Sequence, residues 1–307
     1  MNLQDYAQSG VISNPTNHAE YLTMVLKNNI TSDKVTDAIS AIANVQKSIS
    51  QKDDTCGLTI TTGFSANAWQ ILFPNIEFPK GLKSFEEMKN GDRHFPSTAG
   101  DIFFMVKSSR MDLNYQAAKY LVNIFSSIAT TIEDIQGFKY LDDRDLIDFV
   151  DGTENPQGDL RYNSILVADG TYKGGSFLTV QKYIDKQTDW DALSTEEQEH
   201  TIGRTKMDDI EIADEKKKPY AHNVKGKLTI NGEEIKMLRQ NRSFGNAIEH
   251  GTMFIGFIAN PEHMTATLKQ MITADADGNY DKLLDFVIAK TGANYFVPPQ
   301  SFLDNIG

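Results

Sequence analysis

The first half of the chain alternates stretches typical of strands with stretches typical of helices. Residues 19–27 (AEYLTMVLK) place apolar side chains on both faces of an extended chain, which indicates a buried strand. Apolar residues then recur at three- and four-residue spacing from Val35 to Ile49, which predicts an amphipathic helix. The elements predicted for this half are strands at 19–27, 57–64, 101–109 and 137–141 and helices at 35–49 and 113–132.

The second half continues this alternation with longer predicted loops. The segment Ser194–Glu197 has the spacing of a capping box, which marks the start of a helix. Asn231-Gly232, between LTI and EEI, indicates a two-residue hairpin turn that pairs Ile230 with Glu233. The remaining predicted elements are strands at 176–184, near 227–240 and at 252–259, and helices at 261–272 and 280–291.

This order of elements predicts an α+β fold built from two ferredoxin-like modules. Each half approximates strand, helix, strand, strand, helix, strand, and helices packed on antiparallel sheets are the usual result. We expect an arrangement resembling a dimeric α+β barrel. The boundary is predicted near residue 142, with an N-terminal module over 1–142 and a C-terminal module over 143–307.

The composition of the chain limits the kinds of partner that the protein is expected to bind. The formal net charge is −12 at pH 7, and such a field repels phosphate backbones, so nucleic acid is not an expected partner. No apolar run approaches the roughly 20 residues that span a bilayer, and the N-terminal residues lack the order of a secretory signal. Cys56 is the single cysteine, which excludes an intrachain disulfide. We therefore expect a cytoplasmic protein that does not bind membranes.

Several common sites are missing from the sequence. The six histidines never occur as H-x-x-x-H, and Cys56 has no partner thiol, so a zinc site is not expected. DADGNYD at 275–281 departs from a calcium-binding loop, because its glycine is at the fourth position. The chain also lacks a Walker loop, a G-x-S-x-G elbow and a G-x-G-x-x-G fingerprint. Nucleotide-binding and acyl-transfer chemistry therefore lose their usual markers.

Polar motifs cluster instead between residues 148 and 245. They are DFVDGTENP (148–156), GGS (174–176), GRTK (203–206), AHNVKG (221–226) and LRQNRSFG (238–245). The order of these motifs resembles that of the dye-decolorizing peroxidase family of haem enzymes, over about residues 19 to 303. The resemblance implies a haem peroxidase.

The resemblance assigns roles to four residues at the haem. Asp151 matches the family's distal aspartate, and Arg239 matches its distal arginine. His222 matches the proximal histidine, the iron ligand, which precedes that arginine by seventeen or eighteen residues in the family. Asp285, in the LDF stretch, matches the carboxylate that orients the histidine. The predicted catalytic residues are therefore Asp151 and Arg239, and the predicted metal ligand is His222.

Other residues are expected to hold the cofactor. Arg204 and Lys206, in GRTK, match family residues near the haem propionates, and cations suit carboxylates at a cavity opening. Phe254 and Phe257 would supply apolar wall. Further predicted cofactor-binding residues are Gly152, Thr153, Glu154 and Asn155. Because the chain has no C-x-x-C-H, the cofactor should be non-covalent haem b.

Two positions depart from the family pattern. Asp148 stands where the family motif has its first glycine, and a glycine there permits backbone conformations that an L-residue resists. Asp148 therefore adopts a different turn or loosens the loop that presents Asp151. Arg242, where relatives often have a shorter uncharged residue, either adds a cation near the cavity or faces water; we favour water.

The residues can also be interpreted without the family. Peroxide activation at a ferric haem needs an iron ligand, an acid–base group and a cation. Val150 would anchor the loop in the core so that Asp151 is held above the haem; otherwise, Asp151 initiates an Asx turn at Asp-Gly. Extending the predicted hairpin ladder would place His222 diagonally across from Arg239, only about 7–8 Å away. The strands must therefore splay before His222, or the haem hypothesis fails.

We predict an enzyme in which hydrogen peroxide oxidises the haem and bulky organic reductants, such as dyes and phenols, return the electrons. A surface Tyr or Trp, such as Trp190, could relay these electrons. One alternative is a non-enzymatic haem-binding or haem-handling protein, including one that releases iron. Another is a ferredoxin-like module that binds a small apolar ligand. A homo-oligomer is expected, with a dimer as the first hypothesis.

Overall fold

The computed structural model describes residues 2–306. The helices are α1 (Ser9–Ile12), α2 (Ser32–Ser50), α3 (Ala66–Leu72), α4 (Met111–Phe125), α5 (Gly158–Ile165), α6 (Gln187–Asp191), α7 (Thr195–Ile202), α8 (His222–Lys225), α9 (Pro261–Ile272) and α10 (Gln300–Asp304). Short 3-10 helices span Leu3–Tyr6 and Lys282–Asp285. No helix within residues 2–306 is both long enough and apolar enough to cross a membrane.

The strands are β1 (His18–Leu26), β2 (Thr59–Phe64), β3 (Met88–Asn90), β4 (Arg93–Phe95), β5 (Ile102–Ser108), β6 (Ala129–Phe138), β7 (Ser176–Asp185), β8 (Thr229–Ile230), β9 (Glu233–Glu234), β10 (Leu238–Arg239), β11 (Arg242–Gly245), β12 (His250–Ile258), β13 (Val287–Ala289) and β14 (Ala293–Val297).

Ten of these strands form one antiparallel sheet that closes on itself. Its order is β10-β12-β11-β6-β1-β5-β2-β14-β7-β13, and an additional pairing of β12 with β7 completes the ring. β10 and β11 continue one line along β12, because Leu238 pairs with Phe257 and Arg242 with Met253 in the same register. Helices pack outside this closed sheet. The predicted α+β class with antiparallel sheets is confirmed.

The two faces of the sheet bury two different sets of apolar side chains. On β1, Tyr21 faces a cluster inside the ring with Phe103 and Tyr295, whereas Leu22 packs in the outer cluster with α2. Strand alternation explains this division, since neighbouring residues point to opposite faces. The apolar character of both faces of 19–27 was the correct signal of a buried strand.

Two predicted helices are wrong in extent. The helix predicted at 113–132 ends at Phe125, and β6 begins at Ala129, because the β-branched stretch TTI favours a strand. The helix predicted at 280–291 is replaced by the 3-10 turn at Lys282–Asp285 and by β13, which pairs with β7. Tertiary pairing with β7 overrides the local helical pattern there.

Glu20 on β1 gives the protein a pH-dependent stability. The residue is 1% exposed, and burial together with the neighbouring Asp134 carboxyl raises the pKa of Glu20 to about 8. Because the raised pKa favours the protonated form in the fold, stability should fall as pH rises from about 4.5 through about 8. We expect Glu20→Gln to raise the Tm at pH 8.5 by several degrees and to change it little at pH 5, measured by thermal unfolding.

The matched control is Asp134→Asn, which removes the neighbouring charge and leaves Glu20 buried. It should weaken the pH dependence without abolishing it, because burial is the larger cause. The same pH dependence in wild type and Glu20→Gln would contradict this account.

Candidate active site

Two adjoining cavities meet beside β7, β10 and β12. The apolar chamber contains about 940 Å³ of empty space, partly open to solvent, within the range of cofactor cavities. Its distinctive side chains are Phe254, Met264, Leu268, Met271 and Leu284. The polar chamber is distinguished by Glu154, Arg204, Glu211, Lys227, Glu234 and Lys236. Residues that line both chambers include Asp145, Asp151, His222, Met237 and Arg239.

His222 begins α8 and lines both chambers. Its Nδ1 lies 2.7 Å from Oδ2 of Asp281, whose side chain is fully buried. The other carboxylate oxygen of Asp281 accepts a hydrogen bond from the backbone N of Leu283 at 3.1 Å. A neutral imidazole that donates Nδ1–H to Asp281 keeps Nε2 free for a metal. Among residues 2–306, no group of three or more His, Cys, Asp or Glu side chains could hold a metal ion. A metal bound by His222 would therefore need further ligands that come with it, as in a metal-containing cofactor.

The prediction that Asp285 orients His222 is wrong. Asp285 accepts hydrogen bonds from the Tyr280 hydroxyl at 3.0 and 3.1 Å and from Lys282 Nζ at 2.6 Å. Because 282–285 is a 3-10 turn rather than part of a long helix, Asp281 is the carboxylate that faces His222. The sequence held one signal for it: an acid directly before the turn can cap it, as Asp281 does here.

The hairpin ladder ends before it reaches His222, as the haem hypothesis requires. Asn231-Gly232 forms the turn, and Ile230 pairs with Glu233 as predicted. The β8–β9 ladder ends at Thr229, and His222 lies on α8 rather than on a strand. His222 is therefore not the diagonal strand neighbour of Arg239.

Asp151 follows a loop that is anchored in a small core. Ile147 and Phe149 are buried against Trp190, so they, rather than the half-buried Val150, anchor the loop. The backbone N of Asp151 donates to the carbonyl of Asp143 at 2.9 Å. These contacts fix where the Asp151 carboxylate enters the cavity.

Two asparagines hold the catalytic candidates in place. Asn241 Nδ2 donates to Oδ2 of Asp151 at 2.9 Å, and its Oδ1 accepts from the backbone N of Ile255. Asn155 accepts from the backbone N of Arg239 and donates to its carbonyl, each at 2.8 Å. Sequence reasoning missed Asn241, although its place two residues after Arg239 on an extended chain puts both on one face.

The residues predicted near the propionates separate into two groups. Arg204 lines the polar chamber and binds Asp209 Oδ1 at 2.6 Å and Glu154 Oε1 at 3.0 Å. Thr153 and Glu154 line the same chamber. Lys206 does not line either chamber, because its Nζ donates to Gln198 and pairs with Asp148.

Three other predictions have mixed outcomes. Phe254 lines the apolar chamber, but Phe257 is buried inside the closed sheet. An odd separation along β12 places the two rings on opposite faces.

Gly152 supplies a turn at φ +88° and does not line either chamber. Arg242 neither lines the chambers nor faces water, since its Nε donates to the carbonyl of Thr16 and its side chain is 11% exposed.

The backbone at Asp148 adopts a conformation that glycine tolerates best. Its φ is +72°, in the left-handed region, where an L-residue is strained and aspartate is better tolerated than most. We expect Asp148→Gly to keep or slightly raise the Tm, because lost strain offsets the lost ion pair with Lys206 at 3.2 Å. Asp148→Val should lower stability by about 1–3 kcal/mol, because a β-branched residue is a poor fit at positive φ. Thermal unfolding of both variants checks this, and equal destabilisation would contradict it.

Two half-buried carboxyls that sequence reasoning did not single out, Asp145 and Asp185, also line the apolar chamber. Burial raises the pKa of Asp145 well above its usual range, and the charges of Asp151 and Asp185 add to the shift. Burial raises the pKa of Asp185 to about 6. Both carboxyls therefore hold a proton more tightly than an exposed aspartate does.

Comparisons with known proteins identify the family. The family model described as Dyp-type peroxidase, N-terminal, matches residues 8–139, and the one described as Dyp-type peroxidase, C-terminal, matches residues 142–302. The chain is 38% identical to a dye-decolorizing peroxidase of Rhodococcus erythropolis over 279 residues, 88% of this chain and 81% of that one. It is 36% identical to one of Mycobacterium tuberculosis over 277 residues, 88% of this chain and 82% of that one.

A solved structure agrees. A variant of DypB from Rhodococcus jostii RHA1, in complex with heme, superposes with a TM-score of 0.94 at 34% identity, covering 98% of this chain and 99% of that one. The fold class and the enzyme class predicted from the sequence are confirmed. The chain belongs to the Dyp-type peroxidase family.

Proposed function

We propose that this protein is a haem-dependent peroxidase in which His222 ligates the iron and Asp151 and Arg239 activate hydrogen peroxide. The observation that carries the proposal is one cavity that brings together a histidine held by a buried carboxylate, Asp281, and an aspartate–arginine pair on separate elements. Family membership supports the same chemistry.

The cavity suits a non-covalent haem b. The apolar chamber offers side chains that match a porphyrin ring, and the adjoining polar chamber offers the cations Arg204, Lys227 and Lys236 for two propionates. His222 supplies one nitrogen ligand, as haem iron in peroxidases requires. Haem would supply the iron that binds peroxide and gives up electrons to it.

Each side chain would then have a separate role in the reaction. Asp281 accepts the Nδ1–H of His222 and makes the imidazole a more electron-rich ligand. Asp151 would take the proton from one peroxide oxygen and return it to the other, so that water leaves. Arg239 would stabilise the negative charge that develops as the O–O bond breaks. Asn241 would keep the Asp151 carboxylate aimed at the peroxide.

The reductants would be organic molecules such as dyes and phenols. A bound haem would occupy the apolar chamber, so bulky reductants would give their electrons from outside the cavity. Trp190, named as a surface relay, is instead fully buried and donates Nε1–H to the carbonyl of Ile147. The reductant, a homo-oligomeric state, a cytoplasmic location and the boundary at residues 142 and 143 stay predictions.

The test is haem titration followed by a peroxidase assay. We expect saturable binding of one haem per chain, and peroxide-dependent oxidation of an anthraquinone dye far faster than with the same concentration of free haem. Haem-binding protein with no more activity than free haem would favour the haem-handling alternative. Absence of specific binding would favour a module for another apolar ligand.

A further inference from the structure

The proposed reaction requires protons as well as electrons inside the cavity. Reduction of peroxide consumes both: H2O2 + 2 H⁺ + 2 e⁻ gives 2 H2O. A reductant that reacts from outside the cavity releases its own protons to solvent. Two protons must therefore enter the cavity separately for every peroxide reduced. This argument rests on the proposed function.

One face of the β7–β12 strand pair extends from the interior of the cavity to the edge of the cavity. Gln181, Tyr183 and Asp185 alternate along β7 and all line the apolar chamber. The register pairs Thr252 with Tyr183 and Gly251 with Ile184, so His250 is opposite Asp185 at the next step. Directly opposed side chains on one face have Cβ atoms about 4.5–5.5 Å apart. Asp185 and His250 are therefore neighbours at the end of this face.

Both residues are half-buried, but one carboxylate oxygen of Asp185 is closed off from solvent. His250 is half-buried, with Nε2 3.3 Å from Gln187 Oε1 and Nδ1 3.1 Å from the carbonyl of Asn246. Oδ2 of Asp185 is buried and has no hydrogen-bond partner among residues 2–306. A buried carboxyl oxygen without a partner is costly, and protonation lowers that cost. Asp185 is thus placed to take a proton from the side of His250 and hold it inside.

Asp145 links this face to the distal loop. Its Oδ1 accepts a hydrogen bond from the backbone N of Phe149 at 2.9 Å, and its own backbone N donates to the Phe149 carbonyl at 2.8 Å. The carboxyl thus sits at the base of the loop that ends in Asp151, and both line the apolar chamber with Asp185. Burial, and then the charges of Asp151 and Asp185, raise the pKa of the Asp145 carboxyl.

We propose that protons enter along His250, Asp185 and Asp145 and reach Asp151, with water in the cavity bridging gaps between carboxyls. Each transfer moves one proton from one group to the next, and solvent replaces the proton at His250. The titratable and charged groups that face this route are Tyr183 beside Asp185 on β7, Asp151 and Arg239 at its inner end, and His222 across the cavity. The Arg144 guanidinium does not face it, because it binds Asp142 and the carbonyl of Asp148.

Asp185→Asn is the first test, because amide and carboxyl have the same shape but the amide cannot pass a proton. We expect dye turnover at saturating peroxide to fall at least about tenfold, since positioned proton transfer is typically worth 10²–10⁴-fold. The rate of the initial reaction with peroxide should stay within about twofold, because it only moves a proton between the two peroxide oxygens. Asp185→Glu should restore part of the turnover.

The pH profile separates a route from a structural role. Wild-type turnover should rise as pH falls through about 6, where Asp185 becomes protonated, and Asp185→Asn should lose this limb. Asp189→Asn, an exposed carboxylate on α6, is the control and should match wild type. If the turnover and pH profile of Asp185→Asn equal those of the control, the proposed route is wrong. The small cleft lined by Tyr140, Asp143 and Asp145 would then be the next candidate for proton entry.

A second readout does not depend on haem. In haem-free protein, infrared difference spectra recorded through a pH titration should show a carboxyl carbonyl band that persists above the pH at which an exposed aspartate ionises, is missing in Asp145→Asn and is shifted in Asp185→Asn. Absence of that band would overturn the route. A wild type that binds haem but does not react with peroxide would overturn the proposed function and the route together. A wild type that reacts, with Asp185→Asn turnover unchanged, would overturn the route alone.

Discussion

His222→Ala should leave a folded protein that binds haem more than about 100-fold more weakly than wild type. The substitution removes the imidazole nitrogen proposed to bind the iron, and loss of a group that merely orients such a ligand already costs about 10- to 100-fold. Haem titration followed in the visible spectrum measures the affinity. His263→Ala, on the outer helix α9, is the control and should bind haem as wild type does.

Asp281, which contacts His222, and Asp285, which does not, allow a more specific prediction. Asp281→Asn should weaken haem affinity by about 10- to 100-fold, because Asp281 is the group that contacts Nδ1. Asp285→Asn, four residues away, should not, because Asp285 binds Tyr280 and Lys282 instead. Weakened binding in Asp285→Asn with normal binding in Asp281→Asn would contradict the structure.

Arg239→Leu should slow the reaction with peroxide by about 10²–10³-fold while haem still binds. The Arg239 guanidinium lines the apolar chamber with Asp151 and His222, and removing a group that stabilises developing charge typically costs that much. Asp151→Asn should cost about 10²–10⁴-fold, as expected for a general acid–base. Rapid mixing of haem-loaded protein with hydrogen peroxide measures the rate of the spectral change.

The control for both variants is Arg110→Gln, which removes an exposed arginine that pairs with Asp53 and Asp112. It should react as wild type does. Arg239→Leu and Asp151→Asn with wild-type peroxide rates would support the haem-handling alternative, in which these side chains do no chemistry.

Most of the candidate site could be predicted because its residues are carried by short ordered motifs. Asp151, Arg239 and His222 line the cavity, as expected from the motifs that contain them. The hairpin at Asn231-Gly232 was predictable because that dipeptide accepts positive φ at both turn positions. Such local signals do not depend on the rest of the fold.

The errors come from features that only tertiary packing decides. Asp285 was preferred to Asp281 because the segment around them was expected to be a helix, and pairing of β13 with β7 ended that pattern. Arg242 was expected in water, yet it donates to the carbonyl of Thr16, far away in the sequence. Asp145 and Asp185 carry no local motif, and only the cavity brings them together.

The decisive experiment rapidly mixes one equivalent of hydrogen peroxide with haem-loaded wild type and haem-loaded Arg239→Leu, and with His222→Ala incubated with the same amount of haem. We expect a fast, single-step change of the haem spectrum in wild type, a change at least about 100-fold slower in Arg239→Leu, and only the response of free haem in His222→Ala, which binds haem much more weakly. Equal rates in wild type and Arg239→Leu, no faster than free haem, would contradict the proposed function.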